Sequence, residues 1–175
     1  LVNFTIDRSL AILCRTPAVI ETLLNGISEE WLKNNEGANT WSPYEVVGHL
    51  IHGEKTDWIV RAKVILSAAQ NKTFEPFDRF AQSNEDQERP IGVLLEEFKE
   101  WRVKNLEELK ALQIDEAKLQ KKGIHPELGE ASLKELLSTW VVHDLGHIAQ
   151  ITRVMAKQYK SEVGPWKEYL GILKS

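Results

Sequence analysis

Two histidines, His143 and His147, stand four residues apart in the run WVVHDLGHIAQ, residues 140–150. On a helix this spacing turns about 40° around the axis, so both imidazoles share one face and can reach one metal ion. A core histidine bonded to a carbonyl is the commoner outcome, so the pair needs a third partner before metal chemistry follows. The run EVVGHLIHGEKTDW, residues 45–58, offers His49 and His52. Helical phase separates the two. His49 lies toward Val46, Leu50 and Gly53 on the apolar side, whereas His52 projects with Glu45, Lys55 and Lys63 on a solvated face. Gly53, one turn from His49, removes bulk where a site needs room. Three neutral imidazoles, His49, His143 and His147, form the donor set of a catalytic-type centre that keeps a position open for water or substrate. No fourth protein ligand stands out.

Several polar residues accompany them. Glu54, Asp57 and Arg61 fall on nearly the same stripe as Leu50, and charges so near a core need partners. Either Glu54 or Asp57 pairs with Arg61, or one carboxylate acts as a general base. Asp144 lies beside Leu137, Trp140 and Ile148. It either fixes the ring of a ligand histidine or pairs with a buried arginine. Gln150 flanks the stripe of His147. Glu54, Asp144, Gln150 and Arg61 are therefore the candidates for orienting or catalytic roles. His125, in HPE, reads as a loop-packing residue, and the six tryptophans as core and helix-end packing.

The elements that must position these groups are helices. LAILCRTPAVIETLLNGI, residues 10–27, carries apolar residues three and four apart. Thr16-Pro17 reads as an N-cap followed by a first-turn proline. A short helical lead-in is expected there, then a first helix to about Gly26, with SEEWLK adding a turn. Ser42, Pro43 and Glu45 form a capping box that opens a second helix running to about Ala69. A third helix spans about Pro90 to Leu112. A second capping box, Ser132 with Glu135, opens a fourth helix to about Lys160. GPW stops it, and residues 167–173 make a short C-terminal helix. No alternation of strand type stands out. The expected fold is all-α, a four-helix bundle with long connections. The connection over residues 70–89 is longer than antiparallel neighbours need, so it can cross the length of the bundle and leave helices two and three parallel.

The 175 residues fit one domain, 1–175, large enough for a real core. A net charge of −4 and a pI near 5.8, without a basic stripe, give no phosphate-tracking surface. The single cysteine, Cys14, excludes an internal disulfide and a cysteine-rich zinc site. Asp7 and Arg8 stand where a signal peptide needs an apolar run, and no stretch reaches a membrane span. A cytoplasmic location is expected. The chain starts at Leu1, so a gene product longer by at least one residue is expected.

Three segments together resemble a known family. WSPYEVVGHLIHGEKTDWIVRAKVIL (41–66), HPELGEASLKELLSTWVVHDLGHIAQITRVMAKQY (125–159) and VGPWKEYL (163–170) look like the DinB/YfiT-like superfamily, with the likeness weakest over residues 67–124. Its marks are a tryptophan before a capped helix, a histidine-leucine pair within that helix, and His-x-x-x-His late in the last long helix. The resemblance implies an up-down-down-up four-helix bundle and a divalent metal held at His49, His143 and His147. Nickel or zinc leads, with iron or manganese as alternatives. It also implies a small-molecule substrate, a low-molecular-weight thiol in some relatives as S-transferases, hydrolysis as the other reaction class, and a homodimer. Neither nucleic-acid binding nor a membrane partner is expected. The competing function is a metal- or ligand-binding module without turnover.

Overall fold

The computed structural model describes residues 1–81 and 89–174. Its helices are α1 (Ile6–Leu13), α2 (Thr16–Leu24), α3 (Glu29–Lys33), α4 (Pro43–Thr56), α5 (Trp58–Leu66), α6 (Ile91–Ala111), α7 (Glu116–Leu119) and α8 (Leu133–Gln158). A hairpin of β1 (Lys122–His125) and β2 (Gly129–Ser132) precedes α8. Two 3-10 turns, Gly164–Glu168 and Gly171–Leu173, follow it. No described helix is long and apolar enough to cross a membrane.

Both expected capping boxes are present. The hydroxyls of Ser42 and Ser132 accept from the Glu45 and Glu135 amides, and each glutamate accepts from the serine amide in return. Thr16 is not an N-cap, however. Arg15 precedes it in helical backbone (φ −92°, ψ −25°), because α1 runs into α2 with too little break for an extended capping residue. The C-terminal segment does not wait for GPW to end: Pro165 and Trp166 lie inside the first 3-10 turn.

Side-chain pairs give the direction of each bundle helix. Along α4–α5 and α6 the partners rise together: Tyr44 with Arg89, Glu54 with Arg102, Lys63 with Glu108. These two arms are parallel. α4–α5 and α8 pair in opposite order, Trp41 with His147, His49 with His143, Trp58 with Trp140, and are antiparallel. The carbonyl of Leu13, at the end of α1, meets Arg102, and Asn25, after α2, lies near Gly92, so the first arm opposes α6. The result is an up-down-down-up four-helix bundle.

The second arm breaks at Asp57 (φ −111°, ψ −82°) into α4 and α5. Helical hydrogen bonds continue through it, from Asp57 N to Gly53 O and from Arg61 N to Asp57 O, so the arm bends without separating. The core lies in two apolar clusters along the bundle. One gathers Leu13, Trp58, Ile65, Leu109, Leu133 and Trp140, and the other Ile20, Val46, Leu50, Leu94, Phe98 and Ile151.

The hairpin is the main departure from the all-helical expectation. Its inward position on β1 is held by Gly123, where a Cβ would overlap the ring of buried Phe74. Ile124 is 44% exposed. The strand therefore carries no apolar alternation to read. The segment after α5 adds to it: Phe74 N donates to Ile124 O (2.9 Å) and Ile124 N to Lys72 O (2.9 Å). His125 packs the turn as expected, its Nδ1 accepting from the amides of Glu127 and Leu128 (3.2 Å each).

Candidate metal centre

α4 and α8 face each other along their apolar stripes, and the three histidines sit where those stripes meet. His49 Nε2 lies 3.0 Å from His143 Nε2, which lies 3.1 Å from His147 Nε2. Ligand atoms of all three fall within 4.8 Å of one another. His49 is 5% exposed, and the other two are half-buried. His52 stays outside this cluster. Its ring meets Phe77 (4.9 Å) and its Nε2 the Thr56 hydroxyl (3.4 Å).

The donor chemistry fits a cation. Burial holds the His49 imidazole down at about 2 and His143 at about 3, and lowers His147 as well. All three are therefore neutral near pH 7, and a neutral imidazole has one N–H and one lone pair. His147 Nδ1 lies 2.8 Å from Gln150 Oε1. The amide oxygen can only accept, so Nδ1 carries the proton and Nε2 offers its lone pair. The Nδ1 atoms of His49 and His143 are buried without a hydrogen-bond partner among the described residues, so no acceptor there fixes their tautomer, and a cation on the Nε2 side would hold each proton on Nδ1. Two Nε2–Nε2 edges of 3.0 and 3.1 Å, with all three ligand atoms inside 4.8 Å, bring the donors close enough to converge on one ion.

Because burial lowers all three histidines, metal affinity should begin to fall only below the pH at which a free imidazole takes up its proton. A competition titration against a chelating dye checks this. Affinity falling through the ordinary histidine range, near pH 6.5, would mean that burial does not hold the rings neutral. The same depression favours acid unfolding of metal-free protein. Below pH 6.5 the unfolded chain takes up protons at these positions that the folded chain does not, so their contribution to stability is lost as pH falls.

Of the other candidates, only Gln150 touches a histidine of the cluster. Arg61 pairs with Asp57 (2.8 Å), the internal ion pair foreseen for this stripe. Burial pushes the Asp57 carboxyl up to about 6, with Arg61 opposing the shift. Glu54 and Asp144 both turn to Arg102, on α6. The guanidinium donates to Glu54 Oε1 (3.0 and 2.7 Å), to Asp144 (2.6 and 3.0 Å) and to Leu13 O (2.8 Å), which occupies all five of its N–H groups. Asn105 donates to Glu54 Oε2 (2.8 Å) and Trp140 Nε1 to Glu54 Oε1 (3.2 Å). A Cβ at Gly53 would meet Trp58 Nε1 at 3.4 Å, an ordinary contact, and no atom of the three histidines within 4 Å.

Sequence reasoning missed Arg102 and Asn105, although a signal existed. Leu95, Phe98, Arg102, Asn105 and Leu109 are spaced 3-4-3-4 along α6, and all are buried. It also missed the aromatic wall. Trp41 packs against His49 (4.6 Å between centroids) and His147 (6.2 Å), Phe77 against His49 edge-on (5.5 Å), and Trp58 against His143 (5.0 Å). Trp41 is no plain packing residue, and Trp166 departs the other way, 68% exposed. The loop carrying Trp41 is tied to α8 through Glu36, which accepts from Arg153 (2.6 and 3.0 Å) and pairs with Lys157 (2.9 Å). The hydrogen bond from Arg153 holds its carboxyl at about 2.

Comparison with known proteins bears on this geometry. A family model described as the DinB superfamily matches residues 12–151. No curated protein matches the chain by sequence. The solved structure of YfiT from Bacillus subtilis is similar over 91% of this chain and 92% of its own, with 17% identity and a TM-score of 0.75. That protein is described as "a probable metal-dependent hydrolase with an unusual four-helix bundle topology".

Proposed function

The chain belongs to the DinB superfamily, and from that membership and the converging imidazoles we propose that it is a metal-dependent hydrolase acting on a small molecule. The observation that carries this is the meeting of three neutral Nε2 atoms from two helices at one partly open point. His49, His143 and His147 would hold one divalent ion, nickel or zinc ahead of iron or manganese. Held by neutral donors, such an ion keeps its full charge and supplies Lewis acidity toward a carbonyl or water. The residues of the chain do the rest. Gln150 fixes the His147 ring, Trp58 and Trp41 limit water at His143 and His49, and the half-buried faces of His143 and His147 leave an approach for substrate.

Transfer of a low-molecular-weight thiol to an electrophile is the other reaction this donor set serves, and self-association as a homodimer belongs to the same proposal. A reading as a binding module without turnover has one observation in its favour. The two carboxylates among the catalytic candidates, Glu54 and Asp144, are both committed to Arg102 and unavailable as a general base.

The test is elemental analysis of protein purified without a histidine tag, followed by assay. About one metal per chain is expected, with hydrolysis of a simple aryl ester that chelation abolishes and metal restores. Thiol consumption with an aryl halide distinguishes the transferase, and light scattering gives the mass of the assembly. Metal binding without either reaction leaves the binding module. Absence of metal overturns the proposal.

A further inference from the structure

The segment after α5 brings a cation to the mouth of the histidine cluster. Arg79 lies over the Trp41 ring, with its guanidinium carbon 6.0 Å from the centroid, and over Phe80 at 5.8 Å. Trp41 meets Phe80 edge-on (6.3 Å) and packs with its ring against His49 and His147. Arg79 is exposed and, among the described residues, meets no carboxylate. The nearest acid in sequence, Asp78, is turned back into its own loop, where Oδ1 accepts from the Phe80 amide (2.9 Å). The other cations of this side are engaged: Arg61 with Asp57, Lys55 with Glu97, Lys63 with Glu108. The segment is not loosely held, since Phe74 is buried and bonded to β1. A planar cation thus lies over an aromatic face that leads toward the three histidines.

We propose that this mouth selects a small carboxylate with a flat or apolar body, the body lying against Trp41 and the carboxylate pairing with Arg79. A guanidinium offers two parallel N–H groups that match one carboxylate. A single cation suits a single negative charge, and an indole face favours a flat partner. The inference rests on the hydrolase reading in one respect: the group to be cleaved would lie on the histidine side of Trp41, away from the carboxylate.

The probes are benzoate and benzamide, alike in shape and different in charge. Each is titrated into wild type, Arg79→Gln and Arg79→Lys by ligand-observed NMR, both after chelation and after zinc loading. Wild type is expected to prefer benzoate about tenfold, as a charged hydrogen bond at a partly exposed site gives. The preference should appear with and without zinc, vanish in Arg79→Gln while benzamide affinity stays, and return in part in Arg79→Lys. A preference that survives in Arg79→Gln overturns the proposal. So does one seen only with zinc, which would place the carboxylate on the ion, and so does equal binding of both probes or of neither. Zinc content measured on the same samples separates the two readings. Protein that takes up no zinc but prefers benzoate sinks the hydrolase and keeps this site, and zinc-loaded protein blind to charge does the reverse.

Discussion

Replacing His143 with alanine is expected to abolish stoichiometric metal binding and leave the helical far-UV signal in place. His143 is the middle of the three, its Nε2 being 3.0 Å from that of His49 and 3.1 Å from that of His147. Without it only two donors remain, His49 on α4 and His147 on α8, with ring centroids 4.8 Å apart. Losing residues that merely orient ligands costs about 10–100-fold in metal affinity, so losing this donor should cost more than about 100-fold. The fold has other support. Val46, Leu50, Trp58 and Ile65 on one arm and Leu133, Leu137, Trp140 and Ile151 on the other are all buried, each contributing about 1.5–3 kcal/mol. The bundle thus presents the site preformed, unlike a zinc finger, whose folding is its metal binding. Metal content and circular dichroism of the His143→Ala protein decide the matter. Retained metal at one per chain removes His143 from the site. Loss of helix in both this variant and chelated wild type makes the metal structural.

The second large effect is on stability. Arg102→Met should destabilise the bundle by about 3–5 kcal/mol in urea unfolding, because it strands two buried carboxylates. Glu54 and Asp144 sit at 1% and 0% side-chain exposure on either side of the guanidinium. Against a total of about 5–15 kcal/mol for a typical domain, that loss is severe. Burial already raises the Glu54 carboxyl, opposed by Arg102, so removing the arginine raises it further. The folded variant then holds a proton at pH values where the unfolded chain has released it. Its stability must fall as pH rises through that window, and its deficit against wild type must shrink in acid. Glu54→Gln in the Arg102→Met background should recover part of the loss. A deficit below about 1 kcal/mol, in the range of an exposed ion pair, would mean that water reaches these groups.

How much of this could be read from sequence differs by element. Both capping boxes and the phase that favours His49 over His52 were legible, because long amphipathic helices repeat their signal over several turns. The parallel second and third arms followed from the length of the connection and from the family resemblance. The hairpin was invisible because its inward position is a glycine. Arg102 was hidden differently. Within FKEWRVKNLEELK it is one charge among many, and only its place on the stripe of Phe98 and Leu109 marks it. Charges on Glu54 and Asp144 announced a missing partner without saying which helix would provide it. Trp41 and Arg79 were beyond reach, since their meeting depends on two loops from opposite sides of the second arm.

The parallel pairing of α4–α5 with α6 also constrains how such a protein can change. The second arm, Pro43 to Leu66, is about 35 Å long at 1.5 Å per residue. After it ends, the chain must return that whole distance before α6 begins. The described part of that return strip, up to Ala81, leaves Phe77, Arg79 and Phe80 at the rim of the histidines. A bundle joined by tight turns would have no such strip. In this topology the proposed metal site and the proposed selectivity rim are separate modules of inheritance. The histidines stand on two helices packed into the core, while Phe77, Arg79 and Phe80 lie on a connection that can be rewritten downstream of Phe74 with the bundle unchanged. Grafting that strip from one relative to another should therefore move substrate preference and leave metal affinity where it was.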